Sequence, residues 1–290
     1  MKYKALKGGV FMNFCMVFLR FICLCILSIS SVAYGKVYDC FIFFDELELL
    51  EVRLNELADV VDKFVLVEMA ETFQGNKKRF IFKENQHLFE KFSDKIIYIK
   101  LSDRLVTPSP WVREAFQRNQ IMRGLSECND EDIILISDAD EIVRCDAVAK
   151  IKEALKQYSF VRCKQRTFRF YLNMETRPWC GTFAVLFKYL KQADIDQLRK
   201  LYIHKQPPAS LLFFDLPNAG WHFSSVGGLE RFKTKLESYA HAGSTEYYKS
   251  QAYIDHIINT ECRCVELDDS FPWFVTENIE MFSAKGFICK

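Results

Sequence analysis

From Lys36 onward, short continuous apolar runs alternate with stretches in which apolar residues recur at helical spacing. The runs predict strands at Val37 to Phe44, Lys63 to Val67, Ile96 to Lys100 and Asp132 to Ser137. Between and after them the spacing predicts helices at Glu46 to Leu57, Trp111 to Leu125 and Asp146 to Gln157. Leu47, Leu50, Leu54 and Leu57 mark the buried face of the first helix. A run without polar alternation is what a strand covered on both faces requires, and strands alternating with helices point to parallel pairing through crossover helices. Phe160 to Tyr189, rich in β-formers and aromatics, reads as strands that extend or flank this sheet. The chain turns at Pro207-Pro208, passes Gly220-Trp221-His222, and ends in helices near Leu229 to His241 and Glu246 to Asn259. The expectation is an α/β fold of Rossmann type with a central, mostly parallel sheet. It forms one domain over residues 36–261, with a tail, 262–290, packed back on it.

The first 35 residues follow another pattern. Lys2, Lys4 and Lys7 precede an apolar stretch from Val10 to Tyr34 that Asn13, Arg20 and small polar residues interrupt. Phe21 to Ile29 has the length of a signal-peptide core, and Ala33-Tyr34-Gly35 resembles a small-x-small cleavage site. A start at Met12 would place Arg20 in the basic flank. An uncleaved anchor is the rival reading, with Arg20 inside or snorkelling from the membrane. In either case the body is expected to be exported or membrane-associated, in a secretory or Golgi-type pathway or a bacterial envelope. That setting matters for cysteine: of eleven, eight lie beyond the leader, an even number where disulfides persist, but their pairing is not readable. Charge nearly cancels, with 39 basic and 38 acidic residues, which argues against nucleic acid as a partner.

The strongest chemical signal is Ile133-Ile134-Leu135-Ile136-Ser137-Asp138-Ala139-Asp140-Glu141, an apolar run ending in three carboxylates. Period two puts Asp138 and Asp140 on one side of a strand end, where their repulsion calls for a cation. Mg2+ or Mn2+ suits such a pair, taking one or two carboxylates and leaving the remaining positions to water and phosphate oxygens. Taken alone, the box fits equally well a solvated acidic turn that opens the next helix.

Several further segments together resemble the family 17 glycosyltransferases, typified by enzymes that add bisecting GlcNAc to a β-linked mannose. They are Val37-Tyr38-Asp39-Cys40-Phe41, Glu51 to Leu57, Val61 to Glu68, Thr72 to Lys78, Arg113-Glu114 with Gln117-Arg118-Asn119, Ser137 to Glu141, and Gly220-Trp221-His222-Phe223-Ser224. Val143 stands where the family usually has proline. The resemblance implies a GT-A-like fold and inverting transfer of GlcNAc from UDP-GlcNAc to a glycan or glycoprotein acceptor. It makes Asp138 and Asp140 the metal and ribose carboxylates, completed by His222. It assigns donor contacts to Glu68, Arg113, Arg118, Asn119 and Lys77 or Lys78. Glu141 would cap the next helix or support its neighbours, and Trp221 would stack on a sugar or simply pack. Inversion also needs a carboxylate base, for which Glu230 is favoured, then Asp215 and Glu175. The competing function is a catalytically inactive carbohydrate-binding protein on the same fold. A phosphoryl-transfer hydrolase lacks an accompanying nucleophile or P-loop pattern.

Overall fold

The computed structural model describes residues 35–204, 212–240 and 250–289. The expected leader up to Tyr34, the Pro207-Pro208 turn and the stretch around Glu246 lie outside them. The strands are β1 (Val37–Phe43), β2 (Lys63–Met69), β3 (Ile96–Leu101), β4 (Ile133–Asp138), β5 (Glu141–Val143), β6 (Phe160–Arg169), β7 (Met174–Leu186), β8 (Phe213–Ser224) and β9 (Arg263–Cys264). The helices are α1 (Leu47–Leu57), α2 (Ile81–Asn85), α3 (Pro110–Asn119), α4 (Cys145–Ala154), α5 (Ile195–His204), α6 (Leu229–Ser238), α7 (Gln251–Glu261), α8 (Trp273–Glu277) and α9 (Ile279–Ala284).

One sheet holds all nine strands in the order β3-β2-β1-β4-β7-β6-β8-β5, with β9 paired to β7. The first four strands are parallel, as their apolar runs predict. Every residue of β1 is buried, with Val37, Phe41 and Phe43 facing one layer and Tyr38, Cys40 and Ile42 the other. Leu50, Leu54 and Leu57 of α1 and Val148 and Ile151 of α4 close the first layer. Ile121 and Leu125 beyond α3 and Ile195 of α5 close the second. The expected helix from Trp111 to Leu125 is α only to Asn119 and continues as a 3-10 turn over Gln120–Gly124. Gly124 permits this tighter approach, since a Cβ there would lie 2.4 Å from Cγ1 of Val65.

Beyond β4 the sheet is mixed. β7 runs antiparallel to β4 and β6, β8 parallel to β6, and the three-residue β5 antiparallel to β8. The α/β class therefore holds, while parallel pairing dominates only the amino-terminal half. The segment after α7 packs against β6 and β8, with Phe271, Val275, Phe282 and Phe287 joining Phe168 and Trp221 in one cluster. A Cys264–Cys289 disulfide closes it, and the other six cysteines among the described residues are free thiols. Trp221 is 1% exposed and donates from Nε1 to the Ser270 carbonyl, so its ring packs and does not face a ligand.

Candidate active site

The carboxyl ends of β1, β2 and β4 are level: Ile42 pairs with Asp138 and Phe43 with Glu68. Such ends form the ligand crevice of an open α/β sheet. Here they floor a cleft of about 870 Å³, whose lining includes Phe43, Glu46, Lys78, Arg118, Asp138, Asp140, Trp179, Arg199, His222 and Lys235. That is room for a molecule of nucleotide-sugar size.

The acidic box is braced from beneath by Arg53. Its Nε and Nη2 form a fork on Asp39 at 2.6 and 2.5 Å, Nη2 also donates to Ser137 Oγ, and Nη1 donates to the carbonyls of Asp138, Ala139 and Glu141. Both partners of this ion pair are fully buried. A buried guanidinium of this kind is stable only because each of its donors finds an acceptor. Arg53 thereby fixes the turn that separates the two aspartates.

Those aspartates sit in different electrostatic surroundings. Asp138 Oδ1 accepts from Arg118 Nη1 at 2.7 Å and Oδ2 from Arg199 Nη2 at 2.9 Å. Burial alone would raise its pKa, yet the two guanidiniums outweigh that and hold it well below the usual carboxylate range. Asp140 Oδ2 accepts from Lys235 Nζ at 2.6 Å, while its Oδ1 lies 3.8 Å from His222 Nε2. Burial works against the Lys235 charge, but Asp140, Tyr239 and Glu46 more than compensate and keep the ammonium protonated. Glu141 does not cap the next helix. It accepts the Asp138 amide on Oε2, and Trp179 Nε1 and Arg199 Nη2 on Oε1. Gly181 makes room for it, since a Cβ there would fall 2.1 Å from Oε1.

The structure brings Asp138, Asp140, Arg118 and His222 together in the cleft, His222 arriving because β8 pairs with β5 and sets it opposite Glu141. Other predicted residues stand apart. Glu68 is buried beneath, with Lys78 and the Phe82 amide on Oε1 and Tyr98 on Oε2. Lys78, not Lys77, lines the cleft. Arg113 donates to the carbonyls of Phe73 and Thr107 and so props the 72–78 loop. Asn119 links α3 to α5 through Asp194 and the Asp196 amide. None of the three expected bases lines the cleft. The Glu230 carboxylate is 88% exposed beside Lys233, Asp215 is bound by Arg162 and Lys164, and Glu175 by Arg166 and Arg263.

Sequence reasoning left Arg53 without a role and missed Arg199, Lys235, Trp179 and Glu46. Arg53 left a trace, since it interrupts the apolar face of α1 next to Leu54. Glu46 is anchored on Oε2 by the amides of Phe44 and Asp45, each at 3.1 Å, and its Oε1 faces Lys235 at 3.8 Å. Desolvation raises its pKa, with Lys235 pulling the other way. Among the described residues, no three or more His, Cys, Asp or Glu side chains gather as a ready metal cage.

Known proteins show similarity to this chain in sequence and in structure. The human β-1,4-mannosyl-glycoprotein 4-β-N-acetylglucosaminyltransferase is 32% identical over 117 residues, covering 37% of this chain and 22% of that enzyme. The rat enzyme of the same name is equally identical over 37% of this chain and 21% of its own. The chain thus spans about a fifth of the length of the curated relatives it matches. Among solved structures, a mannosyltransferase from Pyrobaculum calidifontis in complex with GDP-Man and Mn2+ superposes with a TM-score of 0.44 at 12% identity, over 92% of this chain and 81% of that one. A family model matches residues 24–282, nearly the whole length, and the chain therefore belongs to glycosyltransferase family 17.

Proposed function

We propose that the protein transfers a sugar, GlcNAc from UDP-GlcNAc, to a glycan acceptor with inversion and with the help of a divalent cation. The observation that carries this reading is the cleft at the strand ends, where Asp140 and His222 face one another among cationic side chains. The names of the human and rat relatives support GlcNAc as the sugar and a β-linked mannose as acceptor. A separation of 3.8 Å between Asp140 Oδ1 and His222 Nε2 suits two ligands of one ion. Hard cations commonly accept so few protein ligands and complete their shell from phosphate and water. Such an ion would neutralise charge growing on the leaving diphosphate. Asp138, both of whose oxygens are held by arginine, is assigned to orienting Arg118 and Arg199 instead.

The remaining work falls to the chain's own groups. Arg118 and Arg199 set fixed positive charge at the floor of the cleft, preorganised for a polyanionic donor. Trp179, oriented through its bond to Glu141 and about one-third exposed, offers an indole face to a sugar ring. The proton acceptor is assigned to Glu46, since the three carboxylates expected from sequence lie outside the cleft. Its anchored Oε2 fixes the group and its raised pKa strengthens it as a base. Residues 1–35 are retained as an export segment. Among the described residues no helix is long and apolar enough to cross a membrane.

The deciding experiment incubates the full chain with UDP-GlcNAc and a β-mannosyl acceptor, with Mn2+ or Mg2+, and follows UDP release and product. Transfer that disappears in Asp140→Ala while the fold persists is the expected result. Glycan binding with no nucleotide release from any donor would return the protein to the carbohydrate-binding alternative.

A further inference from the structure

We propose that Lys235 is a built-in counter-ion of Asp140 that competes with the divalent cation until the donor diphosphate draws the ammonium away. The proposal rests on the metal-assisted reading above and concerns a residue that the sequence pattern does not single out. Lys235 Nζ lies 2.6 Å from Asp140 Oδ2 and 3.8 Å from Glu46 Oε1, with the lysine and aspartate side chains only 10% and 4% exposed. Its ammonium also sits 5.0 Å from the centre of the Tyr239 ring. Helix α6 is held in this position at both ends. Arg231 Nη1 bonds Glu48 at 2.7 Å near its start, and Gln74 donates to the Tyr239 carbonyl just past its end.

Two cations on one buried carboxylate repel strongly, because little solvent screens them. An incoming ion must therefore either tolerate the ammonium or displace it. Lysine suits displacement: its charge is compact, and four flexible carbons let it swing while the helix stays in place. Asp138 is the contrast within the same box. There two buried arginines each place one donor on the carboxylate and are also held by Glu114 and Glu141 respectively, so neither planar guanidinium can swing away to admit an ion. Competition is thus confined to Asp140. A diphosphate entering the cleft that Lys235 lines offers the ammonium a new partner and frees the carboxylate. By linkage, the ion and the diphosphate then strengthen each other's binding.

The test titrates Mn2+ into the full-length protein, reading free Mn2+ by electron paramagnetic resonance, with and without UDP. Wild type is expected to bind Mn2+ at least tenfold more tightly when UDP is present. Lys235→Met should bind Mn2+ alone at least tenfold more tightly than wild type and lose most of the UDP enhancement. Lys235→Arg keeps the charge and the fold but grips Asp140 with two donors, so its Mn2+ affinity should fall at least threefold. Wild-type Mn2+ affinity in a folded Lys235→Met overturns the proposal. Should that variant fail to fold, unchanged affinity in Lys235→Arg overturns it equally. Measurable but equal binding in all forms removes only the role of Lys235, whereas no Mn2+ binding by any folded form, with or without UDP, removes the metal reading beneath it.

Discussion

The two halves of the sheet contribute to the cleft in different ways. The parallel half, β1 to β4 with α1 and α3, supplies a floor of buried ion pairs, with Arg53 on Asp39 and the box carbonyls and Arg118 on Asp138 and Glu114. The largely antiparallel half, β5 to β8 with α5 and α6, supplies Trp179, Arg199, His222 and Lys235, which reach across to the same box. Two positions apart, Asp138 is fixed by both halves, whereas the side-chain contacts of Asp140 come from His222 and Lys235 of the second half alone. The difference teaches that the parallel half preorganises position and the antiparallel half carries the groups that can respond to a ligand.

The largest effect expected is on the chemical step. Glu46→Gln should keep donor affinity and lower transfer by about 10² to 10⁴, the usual cost of removing a general base. Its pH profile should lose an acidic limb that lies above the ordinary glutamate range, because desolvation raises the Glu46 pKa. Normal transfer by this variant would remove Glu46 from the mechanism.

Next comes the floor itself. Arg53→Met strands Asp39 in the interior and should cost about 3–5 kcal/mol of stability, the penalty for breaking one side of a buried pair. Thermal unfolding measures it, and a loss below about 1 kcal/mol, the level of an exposed pair, would show that the floor is not the rigid half. A smaller loss of about 3 kcal/mol is expected when Cys264 and Cys289 are both changed to Ser, from the freed loop of 25 residues. This bond joins β9 to the end of the chain beside the antiparallel half, so UDP affinity, set in the cleft, should change little. A matching loss of UDP affinity would show the halves to be coupled.

The last effect is on acid stability. Asp138 has a folded pKa below its unfolded value, so its ionic stabilisation is complete above the unfolded value of about 4 and is lost as pH falls below it. Melting curves from about pH 6 down to about pH 3 should show this loss in wild type and a flatter dependence in Asp138→Asn. Equal slopes would mean that Arg118 and Arg199 do not distinguish Asp138 from an ordinary carboxylate.

Much of the parallel half was legible because its information is local. Apolar runs name the strands, helical spacing names α1 and α4, and the close of the Ile133 to Ile136 run places the box at a strand end. Asp39 inside a buried strand and Arg53 on a buried helix face were signals of a pair, although nothing in their spacing says that the pair grips the turn between the aspartates. The antiparallel half was less readable. Glu230 looked suitable at a helix start and proved to point into solvent, while Lys235, one and a half turns later, points inward.

What the sequence by itself determined is the α/β class, the parallel strands, the acidic box and the membership in a family, since periodicity and short motifs are properties of neighbours along the chain. What only the tertiary structure decided is which charges meet. Pairing of β8 with β5 sets His222 beside Asp140, α5 delivers Arg199 from 61 residues away to Asp138, and α6 delivers Lys235 from 95 residues away to Asp140. Buried charge must find its partner wherever the packed chain supplies one, and that requirement leaves no period in the sequence.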